Sequence, residues 1–211
     1  EAIVMNASGC GVTVKEYGHI LKDDAHYAAK AARISALTQD LSELLPMLAE
    51  QLQGKLKPAP GHMAFHPPCT LQHGQQLKGG VEKHLGDLGF DVKVASCEAH
   101  LCCGSAGTYS VLNPEISYQL RDRKLGNLQE AHPTQIISAN IGCIRHLQSG
   151  TTTPVWHWVE VLDDALVWYY PVGVCVRVSV RLCTAPQQSR PGLRSLLLSL
   201  RFFLCSMGLA A

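Results

Sequence analysis

The sequence predicts an α/β fold, a mostly parallel sheet flanked by helices, with cysteine-bearing loops converging at one sheet edge. Two observations carry that prediction. Up to residue 166, short apolar runs alternate with longer segments of helical spacing, which is the pattern of successive β-α-β units. Three cysteine-bearing segments each leave a short apolar run and enter a helical one, and the strands of a parallel sheet end on a common edge. The 211 residues, 46% of them hydrophobic, suffice for one substantial core or two small domains.

In chain order, Ala2 to Met5 reads as a strand that leads into the turn-like Asn6-Ala7-Ser8-Gly9. No charged n-region and apolar h-region open the chain, so it does not start as a signal peptide. It reads as the interior of a longer protein entered at a strand. Asp23 to Ala36 is rich in Ala at helical spacing, and Leu41 to Leu52 continues that character. Gly54 to Gly61, with Pro58 and Pro60, reads as a linker.

Further strands are expected at His62 to Phe65, Phe90 to Ala95, Gln135 to Ser138 and Val155 to His157. Between them, Leu71 to Leu88 reads as one helix with Leu77, Val81, Leu85 and Leu88 on a single face. Asn113-Pro114 reads as an N-cap followed by Pro at the first helical position, opening a helix through Ile116, Leu120, Leu125 and Leu128. The expected division is therefore 1–57, 58–166 and 167–211.

The last segment differs in character. It holds no Asp, Glu or Lys from residue 167 onward, and its Val, Ser, Leu and Arg fit neither helical nor strand periodicity. Leu196 to Ala211 is apolar, but Arg201 interrupts it and it is shorter than the roughly 20 residues a membrane-spanning helix needs. A translated wrong reading frame or accidental extension is the favoured reading, and a disordered or membrane-touching tail is the alternative.

With 18 basic and 17 acidic residues the net charge is +1, and no Lys/Arg-rich run with interleaved aromatics appears. Nucleic-acid binding has no electrostatic footprint here. The nine cysteines are odd in number and lack a secretory context, so they read as metal ligands or redox thiols rather than a disulfide framework.

Three segments belong together: His66-Pro67-Pro68-Cys69, Cys102-Cys103-Gly104-Ser105-Ala106-Gly107 and Asn140-Ile141-Gly142-Cys143. A cysteine at a helix start has its pKa lowered by unpaired N–H groups and the helix dipole, which favours the thiolate a metal requires. Adjacent Cys102 and Cys103 can serve one site only from an irregular loop or around several metal atoms, whereas mononuclear zinc more usually takes C-x-x-C. Gly104 and Gly107 suit close approach of backbone to a bulky inorganic group. An iron-sulfur cluster is thus favoured over zinc, and the plain alternative is that these are small buried hydrophobes.

In this sequence 32 residues lie between Cys69 and Cys102, and 39 lie between Cys103 and Cys143. That arrangement resembles the CCG domain of heterodisulfide reductase subunits, lactate-utilisation proteins and glycolate oxidase iron-sulfur subunits. The wording around the cysteines looks most like the glycolate oxidase subunits, and Asn6-Ala7-Ser8-Gly9-Cys10-Gly11 looks like the end of a preceding CCG repeat. The resemblance covers about residues 1 to 166. It implies a cluster, 4Fe-4S, held by Cys69, Cys102, Cys103 and Cys143, with flavin only on partner subunits that oxidise glycolate. It also implies electron transfer toward a quinone or other acceptor, and a cytoplasmic location at the inner face of the membrane. Lactate-utilisation chemistry and a zinc-binding or non-redox docking module are the alternatives.

The fuller family pattern ends in C-x-x-C, whereas His146 stands at its last position, so a five-cysteine noncubane cluster is not expected. Cys10, Cys97 and His146 remain further candidate ligands. His62, His66 and His73 flank Cys69 and could tune or bind a metal, although polar loop residues near a helix start is the plainer reading. Lys15, Glu16 and His19 read as a solvated helix face, and Trp156 and Trp158 as packing residues around His157. Neither a Gly-rich dinucleotide fingerprint nor a G-x-S-x-G elbow is present, so the chain offers no flavin site of its own.

Overall fold

The computed structural model of the protein describes residues 1–58 and 61–167, and the reading of the tail beyond Val167 lies outside the described residues. The chain opens with β1 (Ile3–Met5), followed by three helices, α1 (Ser8–Lys15), α2 (Tyr17–Ile20) and α3 (Ala28–Leu37). It then returns as β2 (Thr38–Asp40), which pairs in parallel with β1. A parallel pair needs a crossover of this kind. Asp40 then starts α4 (Leu41–Leu52) with a capping box, its carboxylate accepting from Ser42 N at 2.9 Å while Glu43 Oε2 accepts from Asp40 N at 2.7 Å.

The second sheet holds β3 (His62–His66), β4 (Asp91–Val94), β5 (Gln135–Ser138) and β6 (Val155–His157). All pairings are parallel and the order is β4-β3-β5-β6. Between these strands run a π-helical turn (Thr70–Gly74), α5 (Gly80–Asp87), α6 (Tyr109–Leu112), α7 (Pro114–Gln129) and α8 (Ile141–Gln148), and α9 (Trp158–Ala165) follows β6.

The central strands are buried on both faces and sort their side chains by alternation. Met63, Phe65 and Ile137 face a core shared with Leu45 of α4, Val81 and Leu85 of α5, and Trp158, Val161 and Leu162 of α9. Ala64 and Ile136 face the opposite core, shared with Leu125 and Leu128 of α7 and Ile144 and Leu147 of α8. Full burial of a side chain such as Leu85 or Ile136 stabilises the fold by about 1.5–3 kcal/mol each. Cys103 and Cys143 belong to this second core.

The strand order places a topological switch between β3 and β5, because the chain leaves β3 toward β4 on one side and comes back to β5 on the other. Open α/β sheets form a crevice beyond the strand carboxyl ends at such a point. His66 closes β3 there, Ser138 closes β5, and the two are paired, with Ser138 Oγ donating to His66 O at 3.0 Å. The N-terminal segment docks at the same edge. Ser8 N donates to Ala139 O at 3.1 Å, Ser8 Oγ lies 2.7 Å from Thr70 Oγ1, and His157 Nε2 meets Asn6 O at 2.8 Å.

Every expected strand is present, and four details differ. The expected helix from Leu71 to Leu88 is broken into the π-helical turn and α5, because Gln76 and Gly79 take positive φ (59° and 74°) between them. The helix expected from Asp23 begins at Ala28, since Asp24 Oδ1 accepts from His26 N and Tyr27 N and holds a turn there. Asn113 precedes Pro114 as expected but makes no side-chain cap bond. The linker read at Gly54 to Gly61 is partly fastened, with Lys57 N donating to Ala165 O and Val167 N to Lys55 O.

Candidate metal centre

Three loops leave the carboxyl edge of the second sheet and bring four cysteines together. After β3, Pro67 and Pro68 keep the chain extended, and Pro68 O then accepts from both Leu71 N and Gln72 N at 3.0 Å, starting the turn at Cys69. After β4, an irregular loop carries Cys102 and Cys103 through backbone that departs from regular structure at Glu98, Gly104, Ala106 and Gly107, all with positive φ. Gly104 is required at its place. A Cβ there would sit 2.3 Å from Ser117 O, and its φ of +88° is one that side-chain-bearing residues rarely adopt. After β5, Asn140 leads into α8 with Cys143 in its first turn.

The sulfurs interact as neighbours in the order Cys69, Cys102, Cys103, Cys143. Cys102 is pushed down to about 2, first by Cys103 and then by Cys69 donating to it; the Gly104 N–H at 3.3 Å adds to this. Cys143 is pushed well below an ordinary thiol, first by Cys103, with His66 and the Asn140 side-chain amide at 3.4 Å also favouring its thiolate. Cys69 and Cys103 move the other way, held as thiols by donating to these neighbours and by burial.

The four sulfurs thus share protons along one series, two pushed down and two pushed up. Four thiolates could not coexist there without a compensating positive charge. The sulfurs of Cys103 and Cys143 and a ring nitrogen of His66 lie within 4.8 Å of one another, all three residues buried. His66 is fully buried, and among the described residues neither of its ring nitrogens has a hydrogen-bond partner. A buried polar group left unpaired costs about 1–3 kcal/mol. Four soft sulfur donors and an orphaned imidazole in one pocket fit a thiophilic cation or metal cluster.

Residues 63–148 match the cysteine-rich domain family CCG. The chain is 50% identical over 169 residues to the glycolate oxidase iron-sulfur subunit of Escherichia coli (strain K12), which covers 79% of this chain and 40% of that protein. It is 30% identical over 168 residues to lactate utilization protein A of Geobacillus kaustophilus (strain HTA426), covering 76% of this chain and 69% of that protein. The chain belongs to the cysteine-rich CCG family. A third relative, the probable glycolate oxidase iron-sulfur subunit of Bacillus subtilis (strain 168), is 28% identical over 151 residues, covering 71% of this chain and 34% of its own length.

The remaining candidates of this CCG chain lie outside the buried group. Cys10, in α1, and Cys97, in the loop after β4, are exposed. His146 stands one layer out, where its Nε2 meets Ser117 Oγ at 3.1 Å and its ring stacks on Tyr118. Ser117 is itself buried and donates to Gly104 O at 2.8 Å, so His146 braces the CCG loop through that serine. Trp158 packs in the core and Trp156 is 41% exposed.

Two residues at the centre were weakly signalled or unsignalled in sequence. His66 reads as a polar loop residue, but it is the last residue of a central strand, and the following Pro67-Pro68 is the mark of that strand end. Lys124 carried no motif at all. It lies on the buried stripe of α7 with Ser117 and Leu128, at helical spacing, which is the one pattern that could have found it.

Proposed function

We propose that the chain is an iron-sulfur electron-transfer subunit of a glycolate-oxidising flavoenzyme complex, with Cys69, Cys102, Cys103 and Cys143 as ligands of a 4Fe-4S cluster. The observation that carries the reading is the convergence of four interacting sulfurs from three loops, two of them buried beside His66, at the switch point of a parallel sheet. Cys10, Cys97 and His146 take no part as ligands in this reading.

When bound, the cluster supplies a one-electron carrier. The chain's own residues do the rest. Cys103 and Cys143 hold their sulfurs away from water, and the Gly104 N–H and Asn140 amide donate to sulfurs, which favours the more negative charge state. His66 stands beside Cys143 and Cys103, with a ring nitrogen within 4.8 Å of both sulfurs. Glycolate loses its two electrons and two protons at a flavin on partner subunits, and this chain takes those electrons one at a time and hands them to a quinone or another acceptor. A quinone would place the complex at the inner face of the cytoplasmic membrane. Among the described residues no helix is long and apolar enough to cross a membrane.

Residues 1–57 fit the end of a preceding repeat with its helices, residues 58–166 the CCG domain, and residues 167–211 an atypical extension. Glycolate is preferred to lactate on the 50% identity with the E. coli subunit. His66 favours a second reading, a zinc site of mixed Cys and His ligands in a docking module. Anaerobic reconstitution of the full chain with iron and sulfide, followed by absorbance and EPR spectroscopy, separates the two. Charge-transfer absorbance and an EPR signal on reduction are expected. Stoichiometric zinc uptake without any cluster signal would overturn the electron-transfer reading.

A further inference from the structure

Lys124 is fully buried in α7, next to the loop that carries Cys102 and Cys103. Its ammonium donates to Glu98 O at 2.7 Å and Ala99 O at 3.0 Å. A lysine is almost never fully buried unless something nearby needs its charge or its donors. Here both partners are neutral carbonyls, and among the described residues no carboxylate pairs with the ammonium. Burial pushes the ammonium pKa down, and Cys69, Cys103 and Cys102, once they carry thiolate charge as ligands, oppose that shift together with Glu98.

The loop does not depend on Lys124 alone. Arg123 and Asn127 grip the Glu98 carboxylate from the same helix, with Nε and Nδ2 at 2.7 and 3.1 Å from Oε2. On the other side, Gln72 Nε2 donates to Pro67 O at 2.8 Å and reaches Ala99 O at 3.4 Å. Neutral amide donors thus already serve this loop, and a lysine adds what they lack, a charge in a dry place.

We propose that Lys124 is a positioning residue that fixes a buried positive charge against the loop that carries Cys102 and Cys103 and thereby raises the reduction potential of the cluster held there. Reduction adds one negative charge to the site, and a fixed cation in a low-dielectric surrounding stabilises the reduced form more than the oxidised one. The inference rests on the cluster reading above.

The test is a redox titration, followed by EPR, of the full chain reconstituted anaerobically as wild type, Lys124→Gln, Lys124→Met, Lys124→Arg and Arg123→Gln. The Gln variant keeps a donor for the carbonyls and loses the charge. It is expected to bind the cluster and to shift the equilibrium toward the oxidised form by about tenfold, which is about 59 mV downward for a one-electron couple. Lys124→Met shifts the same way, whereas Lys124→Arg stays near the wild-type potential. Arg123→Gln loosens the exposed side of the same loop and leaves the potential unchanged. An unshifted potential in a cluster-bearing Gln or Met variant overturns the proposal, as does failure of both to assemble the cluster, which would make Lys124 a fastener of the loop only. Failure of the wild-type chain to assemble any cluster is a different result and overturns the cluster reading itself.

Discussion

Gly9-Cys10 and Gly142-Cys143 are the same local device used in two places. Each follows a short parallel strand, β1 or β5, through an extended residue, Ala7 or Asn140, and each sits in the first turn of an eight-residue helix. The two starts touch, since Asn140 Oδ1 accepts from Gly9 N at 3.4 Å while the same side chain donates to Cys143 Sγ. Yet Cys143 is buried among three other sulfurs and His66, and Cys10 is exposed. A strand-to-helix cysteine is therefore only a quarter of a site. What gives Cys143 its candidate metal centre is the arrival of two further loops at a sheet switch point, delivered by β3 and β4.

The comparison is broken most severely by exchanging the sulfurs. Cys143→Ser is expected to abolish cluster assembly, because the thiolate lies at the end of the four-sulfur series, while Cys10→Ser leaves iron and sulfide content at the wild-type level. Iron and sulfide analysis after anaerobic reconstitution checks both. Equal losses in the two variants would mean that Cys10 joins the site. Backbone changes come next. Gly104→Ala forces a Cβ against Ser117 O and a strained φ, which should cost about 1–3 kcal/mol and lower the thermal midpoint. In Gly9→Ala the new Cβ meets only the end of the Asn140 side chain, at 3.3 Å, and a helix gains from Ala, so the midpoint should move little. Thermal unfolding followed by circular dichroism compares the two.

The smallest effect concerns how the N-terminal segment is tethered. His157 caps α9, its Nδ1 accepting from Val159 N at 3.1 Å, and its Nε2 donates to Asn6 O. Burial pushes its pKa below the ordinary histidine value, outweighing the Asn6 carbonyl and the nearby acids. The folded state thus prefers the neutral ring, and the stability it confers is complete above the unfolded pKa of about 6.5 and is lost as pH falls from there toward the folded pKa. His157→Asn keeps a capping oxygen and removes the titration. Stability measured by denaturant unfolding should fall by about 1 kcal/mol or less between pH 7 and 5.5 in the wild type and show a shallower slope in the variant.

Much of this arrangement could be read without coordinates, and the reason differs between parts. The strands of the second sheet are apolar or alternating runs bounded by turn residues, so β3, β4, β5 and β6 follow from pattern alone. β2 does not, since Thr38-Gln39-Asp40 is too short and polar to announce a strand, and its place is set by pairing with β1. The break after Gly74 escapes the periodicity of Leu71 to Leu88, because apolar spacing persists across it while Gln76 and Gly79 change the backbone. Cys69, Cys102, Cys103 and Cys143 were visible as a set because glycine and proline mark their loops. His66 was visible only as one of three histidines near Cys69, with the polar loop reading preferred, and Lys124 was not visible at all, because both are buried beside residues far away in sequence and burial of a single polar residue leaves little trace in one sequence.

The central claim is that the four sulfurs hold a cluster rather than a single metal ion. The most direct test is the metal and sulfide content of the chain purified anaerobically from cells, without reconstitution. About four iron and four acid-labile sulfide per chain are predicted, falling to none in Cys103→Ser. One zinc per chain with no sulfide would contradict the account and make the same pocket a mononuclear site completed by His66.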